Sequence, residues 1–261
     1  YGLYAAGTLS AVSASTMANT AGLGSALYLA GASSITVSQS FLTALTTAAY
    51  LQNASYNTVR QSSISVSAAS QSYGFYLGGS SSNTLTRNSI TAVNGVGIYL
   101  VAASNYNRIS QSTITVNKWG GITLTSGPRY TLVDRVFITF TGVSQFGSAL
   151  GMSTADNNTV TNSTMIAYGP SSGMRLFHHS SATISNCYVQ GSTGTDIASS
   201  SYTSITASVL AATNTFNTGV WLNGGSSDLT MTSSTFIGGP KGAGIAIDVN
   251  SAGAIALASN T

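Results

Sequence analysis

The chain has 261 residues, of which 43 % are hydrophobic and only 5 % charged, with a formal net charge of +3. That charge is too small to imply a nucleic-acid partner, and no apolar run approaches the ~18–20 residues of a membrane-spanning helix. A lone cysteine, Cys187, excludes a disulfide framework.

An apolar triplet recurs along the chain. In order, the coils read Tyr4, Val12, Met17; Leu29, Val37, Leu42; Leu51, Val59, Ile64; Leu77, Leu85, Ile90; and Leu100, Ile109, Ile114. They continue as Leu124, Leu132, Phe137; Met152, Val160, Met165; Leu176, Ile184, Val189; Ile197, Ile205, Leu210; and Leu222, Met231, Phe236. The middle residues are 21 to 28 positions apart. Repeats of this length, each unable to bury its own apolar face, mark a solenoid.

Within each repeat the period is two, as in Gly74-Phe75-Tyr76-Leu77 and Gly97-Ile98-Tyr99-Leu100, which is the alternation of a half-buried strand. Threonines flank the middle residues (Thr84-Leu85-Thr86, Thr230-Met231-Thr232) and suit a pleated surface. Glutamate is absent and 28 glycines are spread through the repeats, so helices have little support. The fold class is therefore all-β. We expect a single-stranded parallel β-helix of about eleven coils, continuous over residues 1–261. Right-handed is the default hand for parallel crossovers.

Several outward positions repeat. Tyr28, Tyr50, Tyr76 and Tyr99 precede the first inward residue of four consecutive coils, and Trp221 returns to that position later. Stacked coils would set them in a ladder that packs locally, meets another protein or binds sugar rings. Arg60, Arg87, Arg108 and Arg135 come from consecutive coils and form either a basic stripe for an anionic polysaccharide or phosphate, or dispersed solvating charges. Asn57, Asn83, Asn107 and Asn158 repeat before the middle residue and suit a structural amide stack. Cys187 falls where seven other coils carry serine, so it reads as a small residue in a corner stack.

Catalytic and metal-binding sets are poorly supported. The acids Asp134, Asp156, Asp196, Asp228 and Asp248 fall in separate coils at different places in the repeat, whereas paired carboxylates of a glycosidase stand ~5–10 Å apart. Adjacent His178 and His179 in an extended segment point opposite ways, so they do not form one metal site with Asp156. No cofactor or metal is implied. The threonine columns are too broken by Arg60, Arg108 and Val133 for an ice-binding array.

The texts Ser55-Tyr56-Asn57-Thr58-Val59-Arg60-Gln61-Ser62-Ser63-Ile64, Ser82-Asn83-Thr84-Leu85-Thr86-Arg87-Asn88-Ser89-Ile90 and Asn105-Tyr106-Asn107-Arg108-Ile109-Ser110-Gln111-Ser112-Thr113-Ile114 resemble the parallel β-helix repeat family. That family spans pectate-lyase-like enzymes, phage tailspikes and giant bacterial surface proteins, and the Ser/Thr/Asn-rich text is most similar to the last. The resemblance implies an exported protein at a cell surface or outside the cell. The expectation is then a structural or adhesive rod and not an enzyme, the alternative being a carbohydrate-active enzyme or glycan-binding β-helix. Neither end reads as a polar cap, so the coils are expected to continue in a longer chain or to stack end to end on other copies, with lateral contact and surface glycans as further partners.

Overall fold

The protein is described by a computed structural model covering residues 1–8, 10–22, 24–67, 71–142, 147–178, 180–215, 217–247 and 254–261. Among the described residues, ten coils contribute three strands each and the last contributes two, and every strand pairs in parallel with its counterpart one coil away. Three sheets result, A, B and C in the order the chain enters them, with eleven, eleven and ten strands. Among the described residues there is no helix, and hence none long and apolar enough to cross a membrane.

Sheet A has the longest strands, such as Tyr73–Gly78 and Val96–Val101, while sheets B and C are built of pieces such as Thr84–Thr86 and Ser89–Ala92. Inward residues stack in register. Leu51, Leu77, Leu100 and Leu124 form one column, Val59, Leu85, Ile109 and Val133 a second, and Ile64, Ile90, Ile114 and Ile138 a third. All are buried, and together with their counterparts they make one core that runs along the axis.

Three of the apolar positions expected inside are not. Tyr4 is 53 % exposed beside Tyr28, and Phe137 is 44 % exposed. Leu132 stands in an outward column between Arg108 and Thr159. Ala5, Val133 and Ile138 face inward instead. Each error is one residue, and one residue reverses the face of a strand. Where two apolar residues adjoin, as in Leu132-Val133 and Phe137-Ile138, spacing cannot choose between them.

The corners differ in kind. Two residues separate sheet B from sheet C in every coil, whereas the connection from C back to A runs from two residues after Ala44 to seven after Phe140. The first B–C corner residue is left-handed in each coil, with φ of 50° at Gln39, 51° at Gln61, 55° at Arg87 and 50° at Gln111. Its N–H donates along the axis, as from Gln61 to the Thr86 carbonyl at 3.1 Å. The second corner residue is serine in seven coils, with Asn88, Val136 and Cys187 in the others, and it is buried in every coil but the first. The Ser40 N–H donates to Ser62 Oγ at 3.2 Å, Ser62 N–H to Asn88 Oδ1 at 3.0 Å, and Asn88 N–H to Ser112 Oγ at 3.1 Å.

Cys187 occupies this column, with its N–H donating to Ser208 Oγ at 3.1 Å and its Sγ–H directed to the Ser185 carbonyl at 3.2 Å. Between sheets A and B an asparagine ladder does the same work. Asn57 N–H donates to Asn83 Oδ1 and Asn83 N–H to Asn107 Oδ1, both at 2.9 Å, while Asn83 Nδ2 returns to the Ala54 carbonyl at 2.9 Å.

An unpaired buried amide costs ~1–3 kcal/mol. Asn83→Ala strips the Asn57 N–H of its acceptor, so a loss of about 3 kcal/mol in chemical denaturation is expected. Gln61→Ala, in a corner column that already carries Ala14 and Ala207, should stay within about 0.5 kcal/mol. Burial pushes the Cys187 thiol pKa up. It should therefore resist a thiol reagent in the folded protein and react fully once denaturant opens the coils.

Candidate carbohydrate-binding face

The residue before each inward position of sheet A points outward, and register aligns these residues in one column. In order they are Tyr4, Tyr28, Tyr50, Tyr76, Tyr99, Thr123, Gly151, Arg175, Asp196 and Trp221. The early coils carry rings. Tyr28 and Tyr50 stack with centroids 5.1 Å apart, Tyr50 and Tyr76 meet edge to face at 4.8 Å, and Tyr76 lies 5.4 Å from Tyr99. Tyr73 joins from the next column, 5.2 Å from both Tyr76 and Tyr99. Spacing of one ring per strand follows directly from parallel pairing. The Tyr28 hydroxyl donates to Gln52 Oε1 of the next coil.

Past Tyr99 the rings stop. Thr123 and Gly151 leave an open depression of about 250 Å³, walled by Tyr99, Trp119, Ser153, Arg175 and Phe177. Trp119 comes from the C–A connection and is half exposed, with the Lys118 ammonium 5.8 Å from its ring centroid. Beyond the depression, Arg175 and Asp196 stand side by side on neighbouring strands. Arg175 Nε is 3.4 Å from Asp196 Oδ2, the guanidinium lies 4.2 Å from the Phe177 ring centroid, and Asn223 Nδ2 donates to Asp196 Oδ1 at 3.3 Å. The paired side chains are 16 % and 10 % exposed. Burial raises the Asp196 pKa, outweighing the nearby Arg175 charge, and burial lowers that of Arg175. Trp221 follows in the column, exposed on the next coil, with Ala246 beyond it.

The arginines expected in one stripe divide. Arg60 and Arg108 lie in two outward columns of sheet B, while Arg87 and Arg135 lie at the B–C corner. Arg135 Nε donates to Asp134 Oδ2 at 3.0 Å, and Arg108 reaches the same oxygen at 3.6 Å. Asp134 also accepts from Asn162 at 3.0 Å and Thr161 at 3.1 Å. Hydrogen bonds, chiefly from Asn162, hold its carboxyl below the ordinary carboxylate value.

Asp156 pairs with Arg129 at 3.3 Å, and Asp228 accepts from Ser227 at 2.9 Å. His178 Nδ1 hydrogen-bonds Ser153 Oγ at 3.0 Å. His179 and Asp248 lie outside the described residues. Among the described residues no three His, Cys, Asp or Glu side chains gather as a metal would need.

The pairing of Arg175 with Asp196 escaped the sequence reading, although the signal was present. They precede Leu176 and Ile197 as Tyr76 precedes Leu77. Comparing acids only with acids hid a pair of opposite charge.

These features define a parallel β-solenoid with one aromatic and ionic face. The family model described as right handed beta helix region matches residues 1–138 and 129–261, and the chain belongs to that family. Among solved structures, it is similar to the A-module of the mannuronan C-5 epimerase AlgE4 of Azotobacter vinelandii, at 14 % identity and a TM-score of 0.66, over 98 % of this chain and 86 % of that one. It is similar to the periplasmic alginate epimerase AlgG at 12 % identity and a TM-score of 0.64, over 90 % of this chain and 74 % of that one. The tailspike of E. coli bacteriophage HK620, solved with a pentasaccharide, matches at 12 % identity and a TM-score of 0.53; this chain is covered over 98 % and spans 56 % of the tailspike. No curated protein matches the sequence significantly. At these identities the likeness is one of fold.

The expectation that the chain is not an enzyme is corrected here. It rested on the scattered acids and on the resemblance to surface rods. Carbohydrate-active enzymes carry the same fold over nearly all of this chain, and the structure sets Arg175 beside Asp196.

Tyr50, Tyr73, Tyr76 and Tyr99 have pKa values raised above the ordinary 10.0, first by burial and, for the first three, also by neighbouring phenolates. A spectrophotometric titration should therefore show a late-ionising class of tyrosines. Tyr76→Phe with Tyr99→Phe should remove two ionisations from that class.

Proposed function

We propose that this chain is a carbohydrate-active β-helix, working outside the cytoplasm, that holds an acidic polysaccharide along the outer face of sheet A. The observation that carries the proposal is the single column in which five tyrosines, a ring-free depression, the Arg175–Asp196 pair and Trp221 follow one another. Phenol rings present a flat apolar face and a polar tip, which suits sugar rings. Their repeat of one ring per strand is comparable with that of an extended pyranoside chain. Arg175, already braced over Phe177, is placed to take a sugar carboxylate. Asp196, whose raised pKa keeps its proton to higher pH than an ordinary carboxyl, is the candidate proton donor.

Support comes from the alginate epimerases and the saccharide-bound tailspike, which share the fold. The largely buried Arg175–Asp196 pair beside a depression favours glycan work over the filament as the leading function. Lateral self-association is the competing use of the same rings.

The test is titration of the chain with oligouronates and with neutral glucan oligosaccharides, followed by Trp221 fluorescence and by assay for altered or cleaved products. Saturable uronate binding is expected, weakened roughly tenfold or more by Tyr76→Ser with Arg175→Ala. Asp196→Asn should abolish turnover, with binding retained. Activity that needs the Asp196 proton should fall as pH rises through its raised value. If none of these saccharides binds and sedimentation shows an oligomer that Tyr50→Ser with Tyr76→Ser dissociates, the face is a protein contact and the proposal fails.

A further inference from the structure

A second polar cluster lies on sheet B and the B–C corner. Its centre is one coil, which supplies Thr84, Thr86 and Arg87. The coil before adds Arg60 and Gln61, and the coil after adds Arg108 and Gln111 around a depression of about 290 Å³. Register dictates the grouping, because Arg60 stands beside Thr86 and Arg108 beside Thr84 in two adjoining outward columns. The three arginines thus span two strand spacings, on the order of 10 Å. They are half of the six arginines in the chain.

The hydrogen bonds inside the cluster leave donors facing out. Ser110 Oγ donates to Thr86 Oγ1 at 3.0 Å, so the Thr86 hydroxyl proton is available to a ligand. Arg87 Nε donates to Gln111 Oε1 at 2.9 Å, which fixes the guanidinium and keeps its terminal nitrogens for another acceptor. Asp134 touches the rim only through Arg108, at 3.6 Å, and its oxygens are taken by Arg135, Thr161 and Asn162. Arg135 is thereby withdrawn from the stripe. Among the described residues, no carboxylate lies within ion-pair distance of Arg60 or Arg87.

We propose that this depression is an oxyanion site that takes one tetrahedral group, phosphate or sulfate, either free or as an ester on a glycan. Three guanidinium forks and threonine hydroxyls converging from three coils match the several oxygens of such a group, which one carboxylate does not fill. Gln61 and Arg87 also wall an adjoining depression that leads to Phe41, a ring 60 % exposed. The sugar of an ester would rest there. The site is independent of the tyrosine face and does not rest on its reading.

The test uses inorganic phosphate, inorganic sulfate, dextran sulfate and unmodified dextran, titrated calorimetrically into the whole chain at low and high salt. Arg60→Thr and Arg87→Gln are made together. Neighbouring coils already carry Thr86 and Gln61 at those register positions, so the variant keeps the fold. Saturable, salt-sensitive binding of an anion is expected, lowered at least tenfold in the double variant. Arg135→Ala should leave it unchanged. Arg87→Lys, which keeps the charge and loses the fork, should lose several-fold.

Tighter binding of dextran sulfate than of inorganic sulfate, per bound group, assigns an ester on a glycan. Equal binding assigns the free ion. No saturable binding of any of the charged probes, or equal binding by the double variant, overturns the proposal.

Discussion

Every coil of this molecule must turn three times, and at each turn backbone N–H groups point along the axis where no strand continues the sheet. That is the constraint on which the rest depends. A buried amide without an acceptor costs more than most single contacts supply. The chain meets it with side-chain acceptors offered by the next coil, Asn83 to Asn57, Asn107 to Asn83, Ser62 to Ser40 and Asn88 to Ser62. These ladders hold adjacent coils in register at their edges, while apolar columns hold them at the centre. Because stability is lodged in the core and the corners, outward positions of the sheets are free to carry chemistry.

That division explains what the residues made legible. Inward positions must be apolar in every coil, so their spacing repeats often enough to be read, and the asparagine and serine ladders repeat for the same reason. The failures fall where the pattern is locally degenerate. Leu132-Val133 and Phe137-Ile138 each offer two apolar neighbours, and only pairing with Ile109 and Ile114 settles which faces in. Tyr4 was drawn into the core by the same ambiguity, and its true place extends the tyrosine column by one coil.

The candidate site was less legible for a different reason. A pair that occurs only once cannot be revealed by repetition. Arg175 and Asp196 are 21 residues apart and become neighbours because one coil separates them. Finding them requires comparing the same outward position across coils irrespective of residue type, which joins Tyr99, Thr123, Gly151, Arg175, Asp196 and Trp221. The arginine stripe shows the converse. Four similar residues at similar positions were grouped by type, whereas their surroundings separate Arg135, committed to Asp134, from the other three.

The B–C corner is invariant at two residues, whereas the C–A connection gives the molecule the edge whose length varies most. Segments can be added there without shifting either ladder, since both begin again at fixed registers in the next coil. This edge borders sheet A, and Trp119 already projects from it over the depression. New walls around the outer face of sheet A can therefore arise by insertion while the scaffold's stability stays constant. Lengthening the B–C corner offers no such freedom, because it would break the hydrogen-bonded stack that fixes the pitch.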